Sequence, residues 1–337
     1  MQNHHYYHIS ETGEVAHIKT LEEALSLLDA PGYLWFSYVS PSKEELSRLV
    51  KPLKLHPLSV KDCMDEDQIP RINEFTENTF VLFNSYHYKE SGLLIEEINF
   101  FLGVKFLVTV SRSAFAKEHP LHALEEQLRL GMENARRGPA FLLHIMLDMI
   151  VDHQFAAIEA IEDQIVALED IMMEDILRQK AGNMQQLRRH LLALRKSLFH
   201  EREILMKICR RDIRFIEEEA IFHYRNIYDH LTRYFELVEM DREILMSLMQ
   251  MNLSVINNRM AESANKTNAS VRRLTLITTI FMPLSLIAGI GGMSEFTMMT
   301  GNQNWALVYP LLLVFMAVMG TVSYFLLKRM EKKDKGD

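Results

Sequence analysis

The residues best placed to do chemistry lie in one uncharged stretch, Leu274 to Ser294, LTLITTIFMPLSLIAGIGGMS. Within it Thr275, Thr278, Met282, Ser285 and Gly289 recur at alternating steps of four and three. On a helix that spacing puts hydroxyls, a thioether and a bare backbone on one face. Neutral oxygens suit a hard cation that keeps most of its water. No Cys or His lies on the face, so a soft-metal binding site is not visible there. At ~1.5 Å rise per residue, Leu274 to Met293 is long enough to cross a ~30 Å hydrocarbon core.

The same stripe extends backward without a break. It runs Ser247, Gln250, Ser254, Asn257, Ala261, Ala264, Asn268, Val271, Thr275, Thr278, Met282, Ser285, Gly289, spanning roughly 60 Å if helical. Nearly all of these are small or polar, while the neighbouring row, Ile244, Leu248, Met251 and Val255, is apolar. Two readings follow. In one, several copies turn the wettable face to a shared, water-filled axis. In the other, the small residues pack tightly against another helix; that explains Ala261, Ala264, Ser285 and Gly289 better than Gln250, Asn257 and Asn268. A straight helix drifts ~20° per heptad against this repeat, which would bring Leu274 toward the axis in place of Thr275. Met282 is the bulky apolar ring on the stripe. Pro283 beside it frees a backbone carbonyl that lipid cannot satisfy.

The elements that hold this face follow from the rest of the 337 residues. Residues 1–138 predict a mixed α/β domain. Strands are expected at Glu14–Lys19, Tyr33–Tyr38, Thr79–Tyr88, Leu93–Leu102 and Lys105–Val110, and helices at Leu21–Asp29 and Ser42–Val50. Ser42 with Glu45 reads as a capping box. His4, His5 and His8 read as a solvated terminus, and Asp62, Asp65, Glu66 and Asp67 as a solvated acidic turn or a divalent-cation contact with a neighbouring subunit. Cys63 and Cys209 fit no metal or redox spacing and read as reduced thiols. The first residues, MQNHHYYHIS, lack an apolar signal core, so insertion is expected to use the C-terminal segments.

Residues 139–220 predict an antiparallel hairpin of long helices starting at the Gly138-Pro139 break, with Gly182-Asn183 as its turn. Leu142, Ile145, Met149, Ile158, Ile161, Ile165 and Leu168 form the apolar face of its first helix. Glu159, Glu162, Asp163, Glu169, Asp170, Glu174 and Asp175 form the other, either a solvated surface or an attractor of divalent cations near a pore mouth. Its second helix is expected to run from Met184 to about Glu219. Residues 221–293 predict one stalk helix continuing into a first span at about 274–293. An external loop at 294–305 carries Glu295 as its one charge, and a second span covers 306–327. A basic tail follows at 328–337. Arg272 and Arg273 precede the first span and Lys328, Arg329, Lys332, Lys333 and Lys335 follow the second, so both termini are expected in the cytoplasm of a multi-pass inner (plasma) membrane protein. The formal charge of −8 leaves no footprint for nucleic acid. No nucleophile–base motif and no Walker motif is present, so no enzyme is expected.

Several motifs carry a resemblance. Tyr224-Arg225-Asn226-Ile227-Tyr228-Asp229-His230, Asn265-Lys266-Thr267-Asn268, Ile280-Phe281-Met282-Pro283-Leu284, Ile287-Ala288-Gly289-Ile290, Gly292-Met293 and Tyr309-Pro310 resemble the CorA-type divalent metal ion transporters. The resemblance implies a funnel-shaped homopentamer in the lipid membrane, with an α+β cytoplasmic domain, long α-helices and two C-terminal transmembrane helices. It implies that Asn268, Val271, Leu274, Met282 and Ser285 line the pore, a set that the spacing selects except for Leu274. Gly292, Met293, Ser294 and Glu295 would then form the entrance. The family signature reads Gly-Met-Asn; this chain has Gly292-Met293-Ser294, a hydroxyl where a side-chain carbonyl is usual. A zinc-transporting branch has Gly-Ile-Asn, also absent here. Asn226 stands where an aspartate usually helps hold a regulatory inter-subunit Mg2+, and Asp62 matches the partner acid. The expected function is passive Mg2+ flux, also of Co2+ or Ni2+. The alternatives are a Zn2+ transporter of the same fold and a non-conducting membrane-tethered sensor or scaffold.

Overall fold

A computed structural model of the chain describes residues 4–65, 68–89, 92–112, 135–175, 181–294, 298, 301 and 304–333. Its contacts divide the chain into two units, Met1–Asn252 and Leu253–Asp337.

The first unit begins with β1 (His4–Ile9), β2 (Val15–Ile18), α1 (Leu21–Ser26), β3 (Tyr33–Val39), α2 (Lys43–Val50) and α3 (Pro57–Asp62). It continues with β4 (Arg71–Glu74), β5 (Thr79–Lys89), β6 (Gly92–Leu102), β7 (Phe106–Ser111) and a single 3-10 turn at Ala135–Arg137. The long helices follow: α4 (Pro139–Asp175), α5 (Ala181–Cys209) and α6 (Glu218–Gly291). One seven-stranded sheet has the order β2-β1-β3-β7-β6-β5-β4. Among the described strands the β3–β7 pair is parallel and the rest antiparallel. The mixed sheet matches the expectation.

Alternation along the strands explains the layers. Tyr33, Trp35, Val81, Phe83, Phe100 and Leu107 face a core shared with α4, α5 and α6. Leu34, Phe36, Phe80, Leu82, Phe101 and Val108 face a second core under α1, α2 and α3. Because both faces are covered, β3, β5 and β7 read as near-continuous apolar runs. Ser42 accepts from the Glu45 amide while Glu45 accepts from the Ser42 amide, the capping box expected for α2. Tyr224, fully buried at the start of α6, donates its hydroxyl to the Ala140 carbonyl of α4 at 2.7 Å. The tyrosine of that motif therefore has a structural partner.

The structure corrects four expectations. The histidine-rich start is a sheet strand, paired on both sides, with Tyr7 and Ile9 buried in the core. His4 there faces Glu45 at 3.0 Å and is not a solvated end. The short strand β4 was not expected either. Gly182 and Asn183 lie inside α5, not in a turn. Finally, α5 stops at Cys209 and does not run on to Glu219. The stop is a Schellman motif: Asp212 N–H bonds Lys207 O and Arg211 N–H bonds Ile208 O. Arg211 takes the left-handed position at φ 65°, where glycine is usual, so no sequence signal marked it. Glu66, Asp67 and Lys335 lie outside the described residues, as do the side chains of Glu174, Asp175, Lys332 and Lys333.

In the second unit, α6 continues to Gly291 with Pro283 inside it, and α7 covers Trp305–Lys333 with Pro310 inside it. Among the described residues three helices are long and apolar enough to cross a membrane, within Pro139–Met172, Glu218–Gly291 and Ala306–Leu326. They differ in cover. The apolar window of α4 is 61% buried and packs on the sheet, whereas none of the other two windows is buried.

The left-handed Arg211 generates a test. Arg211→Gly removes the steric cost of that conformation, of order 1 kcal/mol. It also removes an exposed ion pair with Glu218, worth little. A net gain of ~1 kcal/mol is expected, read as a higher urea midpoint.

Candidate functional site

The candidate face is built by α6. A straight α-helix keeps residues spaced by three and four on one side over two heptads, with ~40° of drift from Thr275 to Gly289. Over the whole stripe from Ser247 the drift reaches roughly 120° unless the helices supercoil. All of Asn268, Val271, Leu274, Thr275, Thr278, Met282, Ser285 and Gly289 are exposed on α6. Met282 has 67% of its surface open and Leu274 64%.

The partly covered residues lie on another side: Leu276, Ile280, Pro283, Leu284, Ile287 and Gly291. They meet a matching seam on α7, where Val308, Leu312, Met316, Met319, Gly320 and Ser323 are likewise partly covered. Two glycines locate the contact. A Cβ on Gly291 would stand 2.7 Å from Leu312, and one on Gly320 would stand 3.6 Å from Leu284. A Cβ on Gly289 would meet nothing within 4 Å. So this hairpin packs through Gly291 and Gly320, and the stripe is not the face that α7 covers. The spacing selects Gly289 for the stripe and is silent on Gly291, because a glycine pattern does not say which glycine meets a neighbour.

The threonines of the stripe have a specific polarity. Thr275 donates its hydroxyl hydrogen to Val271 O at 2.9 Å, and Thr278 donates to Leu274 O at 2.6 Å. Each hydroxyl hydrogen is thus used inside the helix, and the oxygen lone pairs are what the stripe presents outward. Lone pairs attract a cation or the hydrogens of its hydration water. Pro283 takes away the donor that would have met the Thr279 carbonyl, one more acceptor near the middle of this segment.

The candidate entrance lies where α6 ends. Gly292 N–H bonds Ala288 O and Met293 N–H bonds Ile290 O, closing the last turn. Gly292, Met293 and Ser294 are exposed. Glu295 lies outside the described residues.

Asp62 and Asn226 belong to the first unit. Asp62, at the end of α3, accepts from Arg71 Nη2 at 2.6 Å as an ion pair. Asn226 is exposed on α6. A cation at Asp62 has to compete with that guanidinium. Among the described residues no three His, Cys, Asp or Glu side chains converge on a metal position. The apolar row expected beside the stripe is only part of the buried face. Leu248 is buried, but Ile244 and Met251 are exposed. The row that does pack is Tyr234, Val238, Asp241, Leu245 and Leu248.

Comparisons with known proteins agree with this architecture. Residues 31–329 match the family described as "CorA-like Mg2+ transporter protein". The chain is 29% identical to the "Cobalt/magnesium transport protein CorA" of Thermotoga maritima, over 93% of this chain and 86% of that protein. It is 29% identical to the "Putative metal ion transporter YfjQ" of Bacillus subtilis, over 88% and 89%. It is also 23% identical to the "Zinc transport protein ZntB" of Photorhabdus laumondii, over 71% and 70%. Among solved structures, the complete CorA magnesium transporter of Methanocaldococcus jannaschii superposes with a TM-score of 0.69 at 21% identity, covering 97% of each chain. The full-length CmaX protein gives 0.69 at 18% identity, covering 98% of this chain and 99% of that one.

The packing of α6 on α7 predicts opposite outcomes for two glycines. Gly291→Ala drives a methyl into the end of the Leu312 side chain, which must move aside, and should cost up to ~1 kcal/mol, read as a lower thermal midpoint of the detergent-solubilised chain. Gly289→Ala should leave that midpoint unchanged or raise it slightly, alanine being the better helix former; a loss would mean that its face is covered after all.

Proposed function

The chain belongs to the CorA-like Mg2+ transporter family, and on that premise we propose that it carries Mg2+ passively through a pore lined by copies of α6. Members of the family are metal ion transporters and not enzymes. Carriage of a divalent cation is the coarse function; the ion, the assembly and the path are this proposal.

One observation carries it. The stripe on α6 is left uncovered by α7, and its threonine oxygens turn lone pairs outward because their hydrogens serve the helix. In a homopentamer around a common axis, five such faces make rings of oxygen at Thr275, Thr278 and Ser285. Mg2+ gives up water reluctantly, so neutral oxygens that bond its hydration shell let it pass, where carboxylates would hold it. Met282 then forms the apolar constriction, and Val271 with Leu274 a second one toward the cytoplasmic side, where a narrow apolar ring gates by dewetting. Asn268 marks the inner end. Gly292, Met293 and Ser294, with Glu295 beyond, receive the ion from outside. The inside-negative potential drives entry.

In this reading α6 from about Leu274 and α7 from Ala306 to Leu327 are the two membrane spans. The uncovered windows support that, while α4, also long enough to span but less apolar, has the sheet as its cover. The Arg and Lys residues beside both spans put the termini on the cytoplasmic side of the inner membrane.

Zn2+ is the second reading. It is favoured by the zinc-transporting relative. Side-by-side flux of Mg2+, Zn2+ and Co2+ in proteoliposomes separates the two. Mg2+ flux is expected, and zinc flux without magnesium flux would overturn the assignment. Thr278→Val keeps the shape and removes the oxygen, so Mg2+ flux should fall several-fold with assembly intact. Ser294→Asn should raise the ratio of Mg2+ to Zn2+ flux.

For the regulatory position, Asp62 paired with Arg71 and a neutral Asn226 make a weak cation site. Asn226→Asp should tighten Mg2+ binding to the assembled protein in calorimetric titration; unchanged binding would remove Asn226 from any metal site.

A further inference from the structure

A carboxylate lies at the centre of the first unit, where three elements meet, and nothing in the transport path uses it. Glu201 of α5 is fully buried. Its Oε1 accepts from the Asn84 amide at 3.3 Å, the Tyr86 hydroxyl at 3.0 Å and the Ser197 hydroxyl at 3.1 Å. Its Oε2 accepts from Gln154 Nε2 at 3.0 Å. Asn84 and Tyr86 belong to β5, Gln154 to α4 and Ser197 to α5. Gln154 Nε2 also donates to Asn84 O at 2.6 Å, and Asn84 Nδ2 donates to Ser197 Oγ at 2.6 Å. The cluster therefore ties the sheet to both long helices. Two amide oxygens in it, Asn84 Oδ1 and Gln154 Oε1, are buried without a donor.

The cluster has an approach from outside. A cavity of about 240 Å³ is lined by Asn84 and Ser197, with Ile69, Ile95, Glu97 and Lys196 among its other walls. Ser197 is part of that wall, and its hydroxyl is one hydrogen bond from Glu201 Oε1.

We propose that Glu201 is a proton-binding site, loaded from this cavity through Ser197, that makes the packing of α4 and α5 on β5 sensitive to pH. Hydronium from solvent in the cavity supplies the proton and is left as water; the Ser197 oxygen takes that proton as its own hydroxyl hydrogen passes to Glu201 Oε1. The net change is one proton bound and one buried negative charge removed. An oxygen that carries a hydrogen cannot keep three donors, so protonation exchanges hydrogen bonds to β5 and α5 for relief of a buried charge. Among the described residues no charged side chain bonds the carboxyl. Tyr86 is the titratable group facing it from β5, α4 offers the neutral Gln154, and Lys196 of α5 and Glu97 of β6 stand at the cavity wall.

The balance of forces suits a sensor. Burial pushes the Glu201 carboxyl up, its four hydrogen bonds pull it down, and the result stands at about 7. A folded-state value above the unfolded one means that stability is fullest below the unfolded value. It is lost as pH rises through the folded one. If the first unit faces the cytoplasm, as the transport reading has it, the pH sensed is cytosolic. α5 leads through the Arg211 turn into α6, the helix that carries the stripe.

The test uses the full chain in lipid nanodiscs and reads its thermal midpoint from about pH 5 to about pH 8. The wild type should lose stability across that window, and Glu201→Gln should show a clearly shallower profile, its remaining slope owed to groups such as Asp241, which burial and Glu162 hold up at about 6. Ser197→Ala and Tyr86→Phe each remove a donor to the ionised form, so they should keep the slope and move its midpoint to higher pH. They serve also if Glu201→Gln fails to fold. A protonated-carboxyl infrared band lost on a jump to alkaline pH, present in wild type and missing in Glu201→Gln, would support the assignment. A wild-type pH profile retained in Glu201→Gln, or an unmoved midpoint in both other variants, would overturn it. Absence of cation flux at every pH would overturn the transport reading and leave these titrations standing, so the two failures are distinguishable.

Discussion

An apolar helix must be covered by something that is not water, and that constraint organises this chain. Among the described residues three helices are long and greasy enough to cross a bilayer, and of these α4 finds its cover within the chain, against one face of the sheet. The end of α6 and most of α7 cover one another along a single seam and leave their other sides open. At ~25 cal/mol per Å² of apolar surface, leaving such helices in water is prohibitive. Lipid or further copies of the chain must supply the rest, and the family to which the chain belongs is a membrane transport family.

The same constraint sorts the faces of α6. Leu276, Ile280, Leu284 and Ile287 go to α7, with Gly291 giving the close approach. The threonines sit away from that seam, and their hydroxyl hydrogens fold back onto the carbonyls one turn earlier. At these two positions the helix satisfies its own donors and offers acceptors outward. For a hydrated divalent cation that is the useful polarity, because the hydrogens of its water shell point outward.

The first unit manages polarity in the opposite way, by burying it. Its sheet is covered on both faces, so any polar group in the middle must be satisfied locally. Trp35 donates to Thr109, Tyr33 to the Ala135 carbonyl and Tyr224 to the Ala140 carbonyl. Glu201 collects four donors from three elements, but burial still outweighs them.

The sequence by itself determined whatever repeats locally. β3, β5, β6 and β7 were legible because aromatic and β-branched runs ended at turn residues. The capping box of α2 needed only Ser42 and Glu45, and α4 only the Gly138-Pro139 break. The stripe on α6 was legible because helical periodicity is a property of one segment. Tertiary structure alone decided the rest. β1 is a strand because β2 and β3 flank it, although its aromatic residues were a signal passed over. α5 ends at an arginine in a left-handed turn, a backbone state that side-chain type does not announce. Asn84, Gln154 and Glu201 are far apart in the chain, so no spacing rule joins them. Which face of α6 meets α7 depends on where Leu312 comes to rest against Gly291. Local rules fix the period of a pattern; only distant neighbours fix which side of it is buried.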